Sequence, residues 1–155
     1  MSENSLYKIS LAKAMALCSH REFCLSDIRD KLQAWGVGDI DIEKIIYLLV
    51  KENFINEERY TRAFVRDKFN YNKWGKVKIE AHLRLKRISA DAVKSSLNVI
   101  DNELYIKTIK NLISVHRRNI KAKSKYELKA KLLRYGLSKG FESSILYDIL
   151  NDLEE

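Results

Sequence analysis

A pattern of apolar side chains recurs three times along the chain at a spacing of about fifty residues, and a sequence that repeats itself at this period has few folds open to it. Residues 25–37, 76–88 and 125–137 fall into one register. Ile28, Ile79 and Leu128 correspond, at separations of 51 and 49 residues. Leu32, Leu83 and Leu132 follow, then Val37, Ile88 and Leu137. Further on, Ile45 and Leu49 match Val93 and Leu97, and again Ile145 and Ile149. Chance aligns two leucines easily. It rarely aligns five apolar positions in three copies.

Within each copy the apolar period is helical. Leu25, Ile28, Leu32 and Trp35 form one stripe, Ile42, Ile45, Ile46 and Leu49 another, and Tyr105, Ile109, Leu112 and His116 a third. Start signals agree: Ser26, Ser89, Asn56 followed by Glu57 and Glu58, and Ser124 with Glu127 as a capping box. Gly36 and Gly136 stand where helices should stop. These signals predict nine helices, over residues 8–20, 26–35, 41–52, 57–72, 76–86, 90–100, 103–120, 125–135 and 141–153. The expected fold is all-α, three tandem three-helix repeats over residues 1–55, 56–101 and 102–155. A unit of this size is near the lower limit of independent stability, so the repeats are expected to pack on their neighbours in an elongated array that can curve. Such an array suits an extended partner better than a substrate needing a deep pocket. There is no proline and there are five glycines. That excludes sandwiches and barrels, which need many tight turns, and Rossmann or P-loop enzymes, which need a Gly-rich phosphate loop.

The net charge of +8 is unevenly distributed. Residues 1–57 carry 7 basic and 9 acidic side chains, and residues 58–87 carry 10 and 3. Residues 88–106 come to −2, residues 107–134 carry 10 basic and 1 acidic, and residues 135–155 come to −4. Two basic blocks thus alternate with three mildly acidic stretches, which favours a polyanionic partner over uniform solvation. The first block opens on Arg59, Arg62 and Arg66 at helical spacing, opposite Tyr60, Ala63 and Phe64. It continues through Lys73, Lys76, Lys78, Arg84, Lys86 and Arg87. A guanidinium grips phosphate or carboxylate with two parallel hydrogen bonds, so an Arg row is more than generic charge. The second block holds Arg117, Arg118, Lys121, Lys123, Lys125, Lys129 and Lys131, where helix-start amides add positive field. The competing reading is a solvated helix face with ion pairs to Glu58 and Asp67.

Trp74, between Lys73 and Lys76, is expected to pack across a helix corner rather than stack on a base. Trp35 and Tyr135 read as core, and Phe54 with Ile55 as a hydrophobic junction between the first two repeats. Cys18, His20 and Cys24 do not have zinc-ligand spacing, and Cys18 reads as a small core residue. His82 and His116 are isolated, and no nucleophilic triad can be assembled. Glu57, Glu58, Asp67 and Glu80 are the carboxylates a metal-dependent nuclease would need, yet two serve a helix start and two lie among cations. No catalytic residue, metal or cofactor is therefore expected. No run of 18 apolar residues appears. The opening residues lack a secretory pattern, and two cysteines make no disulfide framework, so the cytoplasm is the expected compartment.

Residues 53–68, including Asn53, Phe54, Ile55, Asn56, Arg59, Tyr60, Phe64, Val65 and Lys68, lead to Lys73, Trp74 and Gly75 and then to Ile79, Leu83, Lys86 and Ile88. This order resembles the signature of the RecX family of bacterial recombination regulators, specifically over residues 53–88 and more loosely over 11–155. Asn53 and Arg87 stand where the family usually has glycine. Asparagine tolerates a left-handed helix cap, whereas Arg87 leads one to expect a different helix end. The resemblance implies a regulator that lies along the RecA recombinase filament, blocks its growth or promotes its disassembly, and also binds single- or double-stranded DNA; a monomer is expected. Its setting would be homologous recombination, DNA repair and the SOS response, with no membrane and no catalysis. Arg59, Arg62, Arg66, Lys73, Lys76 and Lys78 lie within the matching signature. The alternative reading is a stand-alone helical DNA-binding protein; a nuclease is the third.

Overall fold

A computed structural model describes residues 3–153. Among the described residues there are nine helices and no strand: α1 Glu3–His20, α2 Leu25–Ala34, α3 Asp39–Lys51, α4 Glu57–Asn70, α5 Lys76–Leu85, α6 Ala90–Leu97, α7 Asn102–Arg117, α8 Lys125–Ser138 and α9 Ser143–Asp152. Side chains cap several starts. Asn56 Oδ1 accepts from Arg59 N at 2.9 Å, Ser89 Oγ from Ala92 N at 3.2 Å, and Asp101 Oδ2 from Leu104 N at 2.9 Å. Ser124 Oγ accepts from Glu127 N at 3.1 Å, while Glu127 reaches back to Lys123 N at 3.2 Å. Ser26, expected to cap α2, lies inside it; the position before the helix is Cys24, which makes no side-chain cap.

Four helices end in the same left-handed turn, at Gly36 (φ 88°), Asn53 (φ 62°), Arg87 (φ 62°) and Gly140 (φ 90°). In each, the next amide reaches back five residues: Val37 to Leu32 O, Phe54 to Leu49 O, Ile88 to Leu83 O and Phe141 to Gly136 O. The turn drives Val37, Ile88 and Phe141 into the core. Arg87 therefore keeps the turn a glycine would make, and the altered helix end expected there does not occur. Gly136 is likewise not a stop. It is buried within α8, where a Cβ would lie 2.5 Å from a Leu146 methyl. The helix runs one turn further, Leu137 faces solvent, and Phe141 fills the place that Val37 and Ile88 fill elsewhere.

Helices α1 and α2 pack on α3, α4 and α5 on α6, and α8 on both α7 and α9. The apolar faces form two cores. One joins Ala14, Phe23, Ile28, Leu32, Ile45 and Leu49 of α1–α3. The other runs unbroken from Tyr60, Val65 and Phe69 of α4 through Tyr105, Ile109 and Ile113 of α7 to Leu146 and Ile149 of α9. Ile55 is buried in the first core, and Phe54 packs against it, so neither bridges the first two repeats as expected.

The second helices of the repeats meet head to tail. At the start of α5, Gly75 N donates to Lys139 O (2.7 Å) and Val77 N to Gly140 O (3.0 Å), both at the end of α8. Lys76 N donates to the buried Tyr105 hydroxyl at 3.0 Å, and that hydroxyl donates in turn to Glu142. At the other end of α5, Lys86 O accepts from Ser26 Oγ in the first turn of α2 at 2.8 Å. Burial pulls the Glu57 carboxyl of α4 upward, and the nearby Leu25 amide at the start of α2 offsets part of that pull. Each junction thus joins a helix N-terminus to a C-terminus, satisfying orphan groups and aligning dipoles.

The approach of α5 to α8 leaves no room for side chains. A Cβ on Gly75 would lie 2.2 Å from Gly140 O, and one on Gly140 would lie 2.2 Å from Lys78 Cβ. Gly75→Ala is expected to lower stability by about 2 kcal/mol through overpacking, read as a fall in the urea midpoint. Arg87→Gly, relieving an L residue in left-handed geometry, is expected to raise stability by about 1 kcal/mol. An unshifted midpoint in Gly75→Ala would mean the α5–α8 contact is not close in solution.

Candidate polyanion-binding surface

The basic side chains divide into those that hold the fold and those that face outward. Arg59 Nε donates to Glu22 Oε1 at 2.5 Å, and its Nη2 donates to the carbonyls of Asn53 (3.2 Å) and Phe54 (3.3 Å). It ties α4 to the loop after α1. Lys86 Nζ lies 2.6 Å from Asp27 Oδ1 and ties the end of α5 to α2. Burial pulls the Asp27 carboxyl upward, but hydrogen bonds from Lys86 and Cys24 outweigh it and hold the group below its ordinary 3.8. Both cations are spoken for. Arg62, Arg66 and Arg84 have only loose, exposed carboxylate neighbours, Glu58 at 3.9 Å, Asp67 at 3.5 Å and Glu80 at 3.3 Å.

The second head-to-tail junction departs from the first in charge. Asp27 and Lys78 are both the third residue of their helices, and Lys86 and Lys139 both precede a left-handed residue at a helix end. The first junction therefore sets a carboxylate against an ammonium. The second sets Lys78 against Lys139. Burial first, and the Lys78 charge second, hold Lys139 below the usual lysine range. Its Nζ donates to Asn72 O at 2.9 Å.

Trp74 supports this cluster from beneath. Lys78 Nζ lies 4.6 Å and Lys68 Nζ 4.7 Å from the indole ring. Phe64 meets the ring at 6.4 Å and His82 at 4.6 Å, so Trp74 is a packed corner, as expected, and not an open stacking face. Lys73, exposed and left-handed (φ 57°), adjoins it. Lys68, Lys73, Lys78 and Lys139 have no carboxylate within 4.0 Å among the described residues. Such an uncompensated group of ammoniums favours a bound anion of high charge density. Lys76 turns away, its Nζ 4.6 Å from the Tyr105 ring. Sequence reasoning had no Lys139, because it lies in a mildly acidic stretch and aligns with Lys86 only once α8 is seen to run a turn past Gly136.

The second basic block is arranged differently. Arg118, Lys121, Lys123 and Lys125 are exposed on the α7–α8 loop and the start of α8. Arg117, Lys125 and Lys129 border a cleft of about 200 Å³ floored by Leu128, Leu132, Leu150 and Leu153. Lys131 Nζ bridges Glu127 (3.0 Å) and Lys121 O (2.8 Å), which fixes the loop. Glu127 answers part of the positive field at the start of α8. Helix α8 thus carries cations at both ends, Lys125 and Lys129 at its start and Lys139 at its C-terminus. Among the described residues no three His, Cys, Asp or Glu side chains could hold a metal ion, and no helix is long and apolar enough to cross a membrane.

Residues 56–97 match the profile of the RecX second three-helix domain. The chain is 32% identical over 130 residues to the regulatory protein RecX of Clostridium botulinum strain Eklund 17B, covering 81% of this chain and 59% of that protein. It is 32% identical over 129 residues to the Clostridium perfringens strain 13 protein of the same name, covering 82% and 58%. The chain thus spans somewhat under two thirds of the length of these relatives. In fold it superimposes on a crystal structure of regulatory protein RecX with a TM-score of 0.86 at 23% identity, covering 97% of this chain and 73% of the other. It superimposes on RecX from Lactobacillus salivarius with 0.83 at 21% identity, covering 97% and 98%.

Lys78→Glu should recreate at the second junction the pair that Asp27 and Lys86 form at the first. Stability is expected to rise by about 0.5 kcal/mol, while affinity for a single-stranded oligonucleotide falls and its log–log salt slope shrinks by about 0.7 per lost phosphate contact. Urea melts and anisotropy titrations across salt measure both, and an unaltered oligonucleotide affinity would exclude the lysine cluster as a binding surface. Because Asp27 titrates lower folded than unfolded, its contribution is present above about pH 4 and fades as pH falls through its folded value. Asp27→Asn is therefore expected to cost about 1 kcal/mol at neutral pH and nothing in strong acid, as measured by melts over a pH series.

Proposed function

The chain belongs to the RecX family of regulatory proteins, and we propose that it binds the RecA recombinase nucleoprotein filament and inhibits its assembly and activity, modulating homologous recombination and DNA repair. The observation that carries this reading is the uncompensated lysine cluster at the junction of α5 with α8. It lies within the segment that matches the family and is completed by a lysine from α8. We take residues 1–55, 56–101 and 102–155 as the repeat units. Basic surfaces on the second and third would engage successive stretches of one fibre, so that linked contacts strengthen one another. Regulation follows by mass action and by obstruction of protomer addition, with no bond made or broken by this chain and no cofactor. It would act as a monomer in the cytoplasm.

Two features support a polyanionic fibre as the target. Arg118, Lys121, Lys123 and Lys125 add a second exposed basic stretch on the α7–α8 loop. Arg62, Arg66 and Arg84 stand outward with weak carboxylate neighbours. The rival reading is a stand-alone helical DNA-binding protein, which would hold bare duplex as tightly as protein-coated DNA. Its affinity would fall steeply with salt, with a slope of about −0.9 per neutralised phosphate.

The test is RecA filament assembly on single-stranded DNA with increasing amounts of this protein. Filaments are expected to shorten and ATP hydrolysis to fall. Unchanged filament length and hydrolysis at saturating protein would defeat the reading. Charge reversal in the first cluster (Lys78→Glu with Lys139→Glu) and in the second (Arg118→Glu with Lys121→Glu) should each weaken the inhibition several-fold.

A further inference from the structure

An apolar groove of about 410 Å³ lies between α4, the end of α6 and the start of α7. Its floor is Val65 and Phe69 of α4, with Ile100 at the α6–α7 turn. Val99, 73% exposed, and Leu104, 49% exposed, form one wall. Arg62 and Arg66, one turn apart on α4, also line it. Their carboxylate neighbours, Glu58 at 3.9 Å and Asp67 at 3.5 Å, are exposed and hold them weakly. Asp101, the acid lining the groove, already spends its Oδ2 on the Leu104 amide at 2.9 Å. The groove therefore joins an unsatisfied apolar wall to two available guanidiniums.

Charge and polarity together select the occupant. A phosphate backbone would suit the arginines but would leave the aliphatic wall in contact with sugar and water. Nor can a base stack here, because the one ring lining the groove, Phe69, is only 5% exposed. A protein segment with a large apolar side chain and carboxylates beside it meets both demands: the side chain removes Val99 and Leu104 from water, and the carboxylates take the bidentate donors of Arg62 and Arg66. A comparable groove on the first repeat, lined by Tyr7, Ile40, Tyr47 and Leu48, lacks such arginines.

We propose that this groove is a docking site for an acidic, apolar segment of a protein partner, separate from the lysine cluster that faces the polyanion. The inference rests on the reading of the chain as a regulator of a protein-coated fibre, and assigns the protein part of that fibre to one face and the nucleic-acid part to another.

The test separates the groove from that reading. Two synthetic peptides sharing the same Leu and Phe residues, one with glutamates between them and one with lysines, are titrated into the methyl-labelled full chain. The glutamate peptide is expected to shift the methyl resonances of Val65, Val99, Ile100 and Leu104 and to bind at least tenfold more tightly than the lysine peptide. Val99→Asp and, separately, Arg62→Glu with Arg66→Glu should abolish the shifts while the melting temperature holds. A single-stranded oligonucleotide should shift the Lys78 and Lys139 region instead. Equal affinity for both peptides, shifts centred elsewhere, or oligonucleotide binding in the groove would each overturn the proposal, whatever the filament assay returns. If the groove behaves as expected and filaments are unaffected by the protein, the regulatory reading fails and the groove stands.

Discussion

Helix termini govern this architecture. A helix leaves amides without acceptors at its start and carbonyls without donors at its end, and burying either is costly. Here the second helix of each repeat resolves the problem through the next repeat. The carbonyls of Lys139 and Gly140 take the amides of Gly75 and Val77. The carbonyl of Lys86 takes the Ser26 hydroxyl. α8, α5 and α2 therefore follow one another with dipoles aligned, α8 bound to α5 through main chain and α5 to α2 through the Ser26 hydroxyl. Tyr105 links the start of α5 to Glu142 at the second junction. It is wholly buried against Phe69 and Phe141, and burial, then its bond to Glu142, keeps the hydroxyl protonated and donating.

The two junctions share a geometry but differ in what surrounds it. The first is polar, bounded by Glu22–Arg59 and Asp27–Lys86, and the apolar cores on either side remain separate. The second lies on a continuous core, and it sets two lysines against each other where the first has an ion pair. The scaffold supplies the rigidity, and the surface retains a charge that a bound polyanion would neutralise. Basic residues of one block therefore have different work. Arg59 and Lys86 close the first junction, whereas Lys68, Lys73 and Lys78 stand around Trp74 with their charge uncompensated.

Much of the fold is legible before any coordinate is known. The recurrence of Ile28, Ile79 and Leu128 and the helical spacing around them specify the helices, because burying a stripe on a 3.6-residue period constrains where apolar side chains fall. The caps at Asn56, Ser89 and Ser124 act locally and read correctly. Gly136 misleads because a glycine also serves where two helices touch, and the Leu146 methyls against it cannot be inferred from its neighbours in sequence. Arg87 misleads in the opposite direction, since packing of Ile88 beneath it holds an arginine in a glycine's conformation.

The sequence by itself determined the all-helical repeat and the two basic blocks, since periodicity, capping and charge are properties of residues near one another along the chain. Which cations remain available was decided only by tertiary structure. Arg59 and Glu22 are 37 positions apart, Lys86 and Asp27 59, and Lys139 and Asn72 67. Such pairs depend on how the ends of α2, α5 and α8 meet, and charge is neutralised or left standing by distance in space.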